Sequence, residues 1–277
     1  MAEMRIKQWT KNLLTYAALI FNGSAFNLKK FLITSSAFIA FCLVSSGIYI
    51  INDIFDLEKD RLNPEKRNRP IASGAVNKNF ALIFSFTILT LALIIAVNIN
   101  SEFLLILLSY LLINILYTIW LKNVVIIDVM IIAYGFVARA VAGAVSAGIN
   151  ITEWFLLCVM FLSLFLALGK RRHELVEIQR KNPNGAREVL KHYKLELIDQ
   201  MINAVTSAVI ISYSLFAESN HDMMLTIPLV IYGIFYYLYV IHVKHSGGSP
   251  DEALYKEKPI LITVLLYGIS IIIIRNF

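Results

Sequence analysis

The amino-acid sequence predicts an all-α, polytopic membrane bundle of nine transmembrane helices, built as one domain over residues 1–277. Three observations carry this reading. Hydrophobic residues make up 58% of the chain and charged residues 16%, with a mean hydropathy of +0.69, which is unlike a soluble domain of this length. Apolar runs near the roughly 20 residues that a spanning helix needs recur from one end to the other. Between them no stretch of mixed composition is long enough for a separate globular domain.

The first predicted span, 9–26, follows a basic N-terminus, MAEMRIKQWTKN, which has no compact apolar core or small-residue cleavage site of a signal peptide. It is short and broken by Asn22, Gly23 and Ser24, so a re-entrant or interfacial helix is the alternative there. The second, 31–52, is continuous and apolar until it meets a charged stretch. Further runs follow at 80–98, 103–121, 124–147, 153–169, 200–217, 225–243 and 259–275. Cys42 and Cys158 both fall inside such runs and read as helix-packing residues, with no disulfide implied.

Charge gives the orientation. With nine spans, the N-terminus and the connections 53–79, 122–123, 170–199 and 244–258 share a side and hold 21 of the 25 Lys and Arg residues. The opposite connections carry Glu102, Glu153, Glu218 and Asp222. The basic side is therefore expected to be cytoplasmic. The net charge of +6 reads as this topology signal, and nucleic acid is not expected as a partner.

The stretch after the second span, YIINDIFDLEKDRLNPEKRNRPIASG, holds the chemistry. Carboxylates at a bilayer edge need partners. Asp53, Asp56 and Asp60 are three and four residues apart, which puts them on one face of a helix that meets no breaker until Pro64. Three like charges on one stripe imply a cation among them. With Asn52 beside them they offer only oxygen ligands, which suits Mg2+ sharing its shell with phosphates. A solvated helix end, neutralised by Lys59 and Arg61, is the other reading. Lys66, Arg67 and Arg69 then supply cations of the kind that bind phosphates beyond those on a metal, or else anchor the membrane edge.

The N-D-x-x-D-x-x-x-D run at Asn52 to Asp60, followed by K-R-N-R-P-I-A-S-G at Lys66 to Gly74, resembles the first aspartate-rich motif of the UbiA superfamily. The resemblance implies a nine-helix intramembrane transferase holding a magnesium-bound diphosphate. Tyr117 and Lys122 in Y-T-I-W-L-K resemble the end of that family's fourth helix, and Asp128 and Arg139 its fifth. Asp128 and Arg139 are eleven residues apart, about three turns and roughly 16 Å along one face. An arginine so deep in a span should meet a polar cavity or an acidic partner.

Family members that attach prenyl groups to aromatic acceptors carry a second aspartate-rich motif after the sixth helix. Here that place reads A-L-G-K-R-R-H-E-L-V-E, with Lys170, Arg171 and Glu174 and no aspartate. This departure, R-I-K-Q-W-T-K-N (Arg5 to Asn12, including Lys11) and G-G-S-P-D-E-A-L (Gly247 to Leu254) resemble the decaprenyl-phosphate phosphoribosyltransferase branch. The last of these is also a helix start, with Ser249 as N-cap and Pro250 in the first turn.

The branch resemblance implies transfer of a phosphoribosyl group from phosphoribosyl diphosphate to a polyprenyl phosphate. In that role Asp53, Asp56 and Asp60, with Asn52, hold Mg2+. Lys170 and Glu174 join the aspartates in catalysis. Asn52, Lys11, Lys66, Arg67, Arg69, Tyr117, Lys122, Asp128, Arg139 and Arg171 bind substrate. A location in the cell (inner) membrane is expected, and a homo-oligomer is left open. Two rivals stand beside this reading. A prenyl transferase acting on a quinone, haem or chlorin precursor would favour a second D-x-x-x-D, which is absent. A transporter of an anionic metabolite predicts inverted repeats and broken midplane helices, and none is visible.

Overall fold

The computed structural model describes residues 4–63, 66–181, 188–218, 221–244 and 256–276. Among these, the long helices are Leu28–Phe55 (α2), Lys78–Ile99 (α4), Ser101–Ile119 (α5), Ile127–Ser146 (α6), Glu153–Lys181 (α7), Leu195–Glu218 (α8), Ile227–Tyr239 (α9) and Lys258–Asn276 (α10). Ala17–Phe21 (α1) and Leu57–Leu62 (α3) are short. A 3-10 turn at His221–Thr226 and a π-helical stretch at Val240–Lys244 extend α9 at its two ends. Eight helical stretches are thus long and apolar enough to cross a membrane by length and composition.

The first predicted span, at the N-terminus, takes a different form. Residues predicted to form a span over 9–26 instead form a 3-10 helix, Ile6–Tyr16, that runs into α1. Such long 3-10 runs are uncommon, and this one is held by tertiary partners. The Ser46 hydroxyl donates to the Met4 carbonyl, the Trp9 indole donates to Ser46, and Tyr16 donates to Ser35, so the segment lies antiparallel along α2. At about 2.0 Å per residue in 3-10 form and 1.5 Å in α form, 6–21 extends roughly 30 Å. Arg5 lies beside Asp53 at one end of the bundle, while Arg275 donates to the Phe21 carbonyl at the other.

Packing follows membrane rules. Phe80, Ile83, Phe86, Leu105 and Leu112 are exposed outward, where lipid replaces water. Inside, Ala37, Ala40, Ala92, Ala96, Ala138 and Ala142 let α2, α4 and α6 approach closely around Phe41, Phe103 and Tyr110. Gly143 of α6 meets the 3-10 segment most tightly: a Cβ there would lie 1.8 Å from the Thr15 carbonyl oxygen. Cys42 is buried, Cys158 is half-buried, and both are free thiols.

Candidate active site

α2 does not continue straight through the acidic motif. At Asp56 the backbone turns (φ −92°, ψ 10°), and α3 resumes after it. The Asp60 N–H still reaches the Asp56 carbonyl, so the bend is slight, yet it separates the three carboxylates electrostatically. Asp53 and Asp60 stay together, both 3% exposed, and share the Arg69 guanidinium, whose Nη1 donates to them at 3.0 and 2.6 Å. Asp56 turns instead to Lys122, whose Nζ donates to it at 2.6 Å. The bend thus relieves the repulsion that a straight stripe of three aspartates would suffer.

Arg69 is presented by the loop after α3. Ile71 and Ala72 are buried there, with Ile71 packed against Ile50, Ala81 and Ile88. The Ser73 N–H bonds to the Arg69 carbonyl, and Arg61 donates to the Ala72 carbonyl. Lys66 is half-buried at the first turn of this loop, and Arg67 is exposed. Asn52 is half-buried, and its carbonyl accepts from the Asp56 N–H.

Sequence reasoning gives no role to Arg5. Its Nη2 donates to both Asp53 oxygens, at 2.5 and 2.8 Å, and its guanidinium lies over the Tyr49 ring at 5.0 Å. Tyr49 and Asp53 are one helical turn apart, so α2 offers the arginine an aromatic face and a carboxylate together. The one available signal is the position of Arg5 at the head of the R-I-K-Q-W-T-K-N run.

A second charged cluster joins α6 to α7. Asp128, fully buried in the first turn of α6, accepts from Arg171 Nε at 2.7 Å and from the Tyr193 hydroxyl at 2.8 Å. Arg171, also fully buried, donates through Nη1 to Glu174 at 2.6 Å, and its Nη2 has no partner. Tyr117 is close enough to act on Arg171 electrostatically. Burial, reinforced by Asp128, pushes the Tyr193 phenol up to about 12, so it remains a donor at neutral pH. The same hydroxyl accepts from the Ile126 N–H at 2.7 Å. Ile126, a β-branched residue, has φ 70° and ψ −46°, a strained backbone that sets the entry of α6. Lys170 is half-buried next to this cluster. Tyr193 and Ile126 carry no sequence signal that would single them out.

Arg139 lies apart from both clusters. It is 5% exposed, and its partners are neutral: Asn12 Oδ1 at 2.6 Å, the Gly135 carbonyl at 2.5 Å and the Tyr110 hydroxyl at 2.7 Å. Phe41, Tyr110 and Phe136 rings surround the guanidinium. Asn12 in turn donates to Cys42 and Ser45 on α2. Arg139 therefore pins the 3-10 segment to α2 and α6, with Lys11 half-buried beside the pin. The motif Gly247 to Leu254 lies outside the described residues.

The UbiA prenyltransferase family model matches residues 13–254, most of the chain. The chain is a member of the UbiA prenyltransferase family. The decaprenyl-phosphate phosphoribosyltransferase of Corynebacterium glutamicum is 32% identical over 97% of this chain and 84% of its own length. That of Mycolicibacterium smegmatis is 31% identical over 95% of this chain and 88% of its own. Among solved structures, a UbiA homolog from Archaeoglobus fulgidus bound to GPP and Mg2+ superposes with a TM-score of 0.75. It is 19% identical and covers 98% of each chain. The fold is thus the UbiA bundle, and the protein is a multi-pass membrane transferase.

The UbiA motif residues suit a hard divalent cation by donor chemistry, since Asp53, Asp56, Asp60 and Asn52 offer only oxygen. Their arrangement, however, is filled by the protein's own cations. Among the described residues, no group of three or more His, Cys, Asp or Glu is gathered closely enough to hold a metal ion. Arg5, Arg69 and Lys122 stand on the carboxylates instead.

Proposed function

We propose that this UbiA member transfers a 5-phosphoribosyl group from phosphoribosyl diphosphate to a long-chain polyprenyl phosphate, releasing diphosphate. It would do so as one domain over 1–277, on the cytoplasmic face of the cell membrane, and supply cell-envelope polysaccharide precursors. The observation that carries the reading is the charge inventory at one end of the bundle. One acidic motif is matched by many cations, and the segment after the sixth predicted span brings Lys170, Arg171 and Glu174 in place of further aspartates. The donor has a diphosphate and a separate 5-phosphate, and the acceptor brings another phosphate. Three anionic groups call for cations in that number. The two relatives named decaprenyl-phosphate phosphoribosyltransferase, matched over nearly the whole chain, support it.

Asp53, Asp56 and Asp60, with Asn52, would hold Mg2+, which when bound offsets charge on the leaving diphosphate. Lys66, Arg67, Arg69, Lys122 and Lys170 would bind phosphate oxygens, with Lys11 and Tyr117 at the margins of the site. Glu174 would orient a ribose hydroxyl or a cation. A polyprenyl phosphate oxygen attacks C1 of the ribose as the bond from C1 to the diphosphate breaks, and the electron pair leaves with diphosphate. The acceptor is already an anion, so no general base is required. Arg171 and Asp128 would act one step back, fixing α6 to α7. Arg139 fixes the N-terminal segment.

Membranes containing the protein, given labelled phosphoribosyl diphosphate, polyprenyl phosphate and Mg2+, should yield a labelled lipid. Label transfer from a prenyl diphosphate to an aromatic acceptor, with none from phosphoribosyl diphosphate, would reject this reading.

A further inference from the structure

The carboxylates of the acidic motif and the cations around it satisfy one another. Asp53 and Asp60 are 3% exposed; Arg5 donates to both Asp53 oxygens, and Arg69 donates to Asp53 Oδ1 and Asp60 Oδ2. The lone pairs those oxygens give to the guanidinium groups are not open to a cation. Equally, Arg5 Nη2, Arg69 Nη1 and Lys122 Nζ, which stand on Asp53, Asp60 and Asp56, cannot turn to a diphosphate without releasing them. A divalent cation arriving at the aspartates would displace the basic side chains, which are then free to bind an anion. An anion arriving at the basic side chains would uncover the aspartates.

Arg5 is the member of this set best placed to change partners. Arg69 sits on a loop anchored by buried Ile71 and Ala72. Arg5 precedes the 3-10 segment, its side chain is 26% exposed, and the Tyr49 face beneath it stays available whichever anion it binds. We propose that Arg5 is a diphosphate-binding residue stored on Asp53, and that its exchange makes a divalent cation and a diphosphate bind cooperatively, each weakly alone. This rests only on the diphosphate part of the function proposed above. Linkage requires the coupling to be reciprocal, and such factors run at roughly 5–150-fold.

The test is titration calorimetry on the full chain in lipid nanodiscs, using Mg2+ alone and then inorganic diphosphate at saturating Mg2+. In Arg5→Gln, Asp53 loses one of its two basic partners and keeps Arg69, so Mg2+ alone should bind more tightly. The diphosphate at saturating Mg2+ loses a ligand and should bind more weakly. Each shift should be roughly fivefold or more. General damage to the site would weaken both, so opposite signs identify exchange. Arg5→Lys, which keeps the charge but not the fork of donors, should fall between wild type and Gln, and it serves alone if the Gln variant does not fold. The proposal is overturned if both affinities move in the same direction, or if neither moves. No phosphoribosyl compound is used, so that result would leave the donor assignment untouched, and a different donor would leave this result untouched.

Discussion

Arg171 and Asp128 form a 2.7 Å ion pair in which both side chains are fully buried, and it ties α7 to α6. Such a pair has lost its hydration on both sides, so removing one partner leaves an uncompensated charge. Glu174 lies within 2.6 Å of the same guanidinium and is 23% exposed. The buried half of the network ties the two helices together, and Glu174 is its more exposed end.

Arg171→Ala should accordingly destabilise the protein by about 3–5 kcal/mol. A double variant, Asp128→Asn with Arg171→Met, removes both charges and should recover most of that loss. Thermal unfolding of the detergent-solubilised protein measures both. If Arg171→Ala unfolds like wild type and only raises a Michaelis constant, the arginine is a direct substrate ligand instead.

Asp53→Asn and Asp56→Asn should each lower phosphoribosyl transfer at least about 100-fold while the protein stays folded and inserted. Asparagine still accepts hydrogen bonds from Arg5, Arg69 or Lys122, so the local fold is preserved. Near-normal turnover of either variant at saturating Mg2+ would remove that residue from the metal site. Initial rates with labelled donor, alongside thermal unfolding, check both halves of the expectation.

The eight long helices were legible because each is an apolar run bounded by polar connections, and only that combination fits a bilayer. The acidic loop was legible because acids and bases are too dense there for a membrane edge. The 3-10 segment was not. The breaks that the sequence shows there are Asn22, Gly23 and Ser24, whereas the partners that bury Asn12, namely Arg139, Cys42 and Ser45, are 30 or more residues away. Arg139 read as needing an acid or a polar cavity, whereas an amide, a carbonyl, a phenol and three rings suffice. The pairing of Arg171 with Asp128 spans 43 residues, and no local pattern encodes it. The partner of Asp56 at the bend is Lys122, 66 residues on, so a straight helix was the natural sequence reading.

Gly143 is the tightest point of contact between α6 and the N-terminal segment. A methyl group there would stand 1.8 Å from the Thr15 carbonyl oxygen, a backbone atom that cannot rotate away. Gly143→Ala should cost about 1–3 kcal/mol or more despite alanine's better helix propensity. It should also speed hydrogen exchange across Ile6–Tyr16, since the segment must lift to admit the methyl. Unchanged exchange there would show that the packing relaxes elsewhere.

Ile126 has a positive φ that a β-branched side chain tolerates poorly, and it is held by its N–H bond to Tyr193. At ordinary positions glycine is less stable than alanine, but here the order should reverse. Ile126→Gly should be more stable than Ile126→Ala by about 1 kcal/mol, because glycine carries no steric penalty at φ 70°. Thermal unfolding of the two variants side by side decides it, and the usual order would mean that the strain is absent.

The basic face should be cytoplasmic. Lys and Arg are concentrated 21 of 25 on one side of the predicted spans, and short connections so biased stay on the inner side of a membrane. The structure gathers the acidic motif, Lys122, Asp128 and Arg171 at that same end, so the orientation also decides where the site opens. Lys78 is exposed at the start of α4, and Glu102 is exposed at the start of α5, at opposite ends of one helical crossing. Single cysteines at these positions, in a background without Cys42 and Cys158, should therefore differ. An impermeant thiol reagent applied to intact cells should label position 102 and spare position 78 until the membrane is opened. Labelling of 78 alone would invert the molecule and put its phosphate-binding end where soluble phosphoribosyl diphosphate is not made.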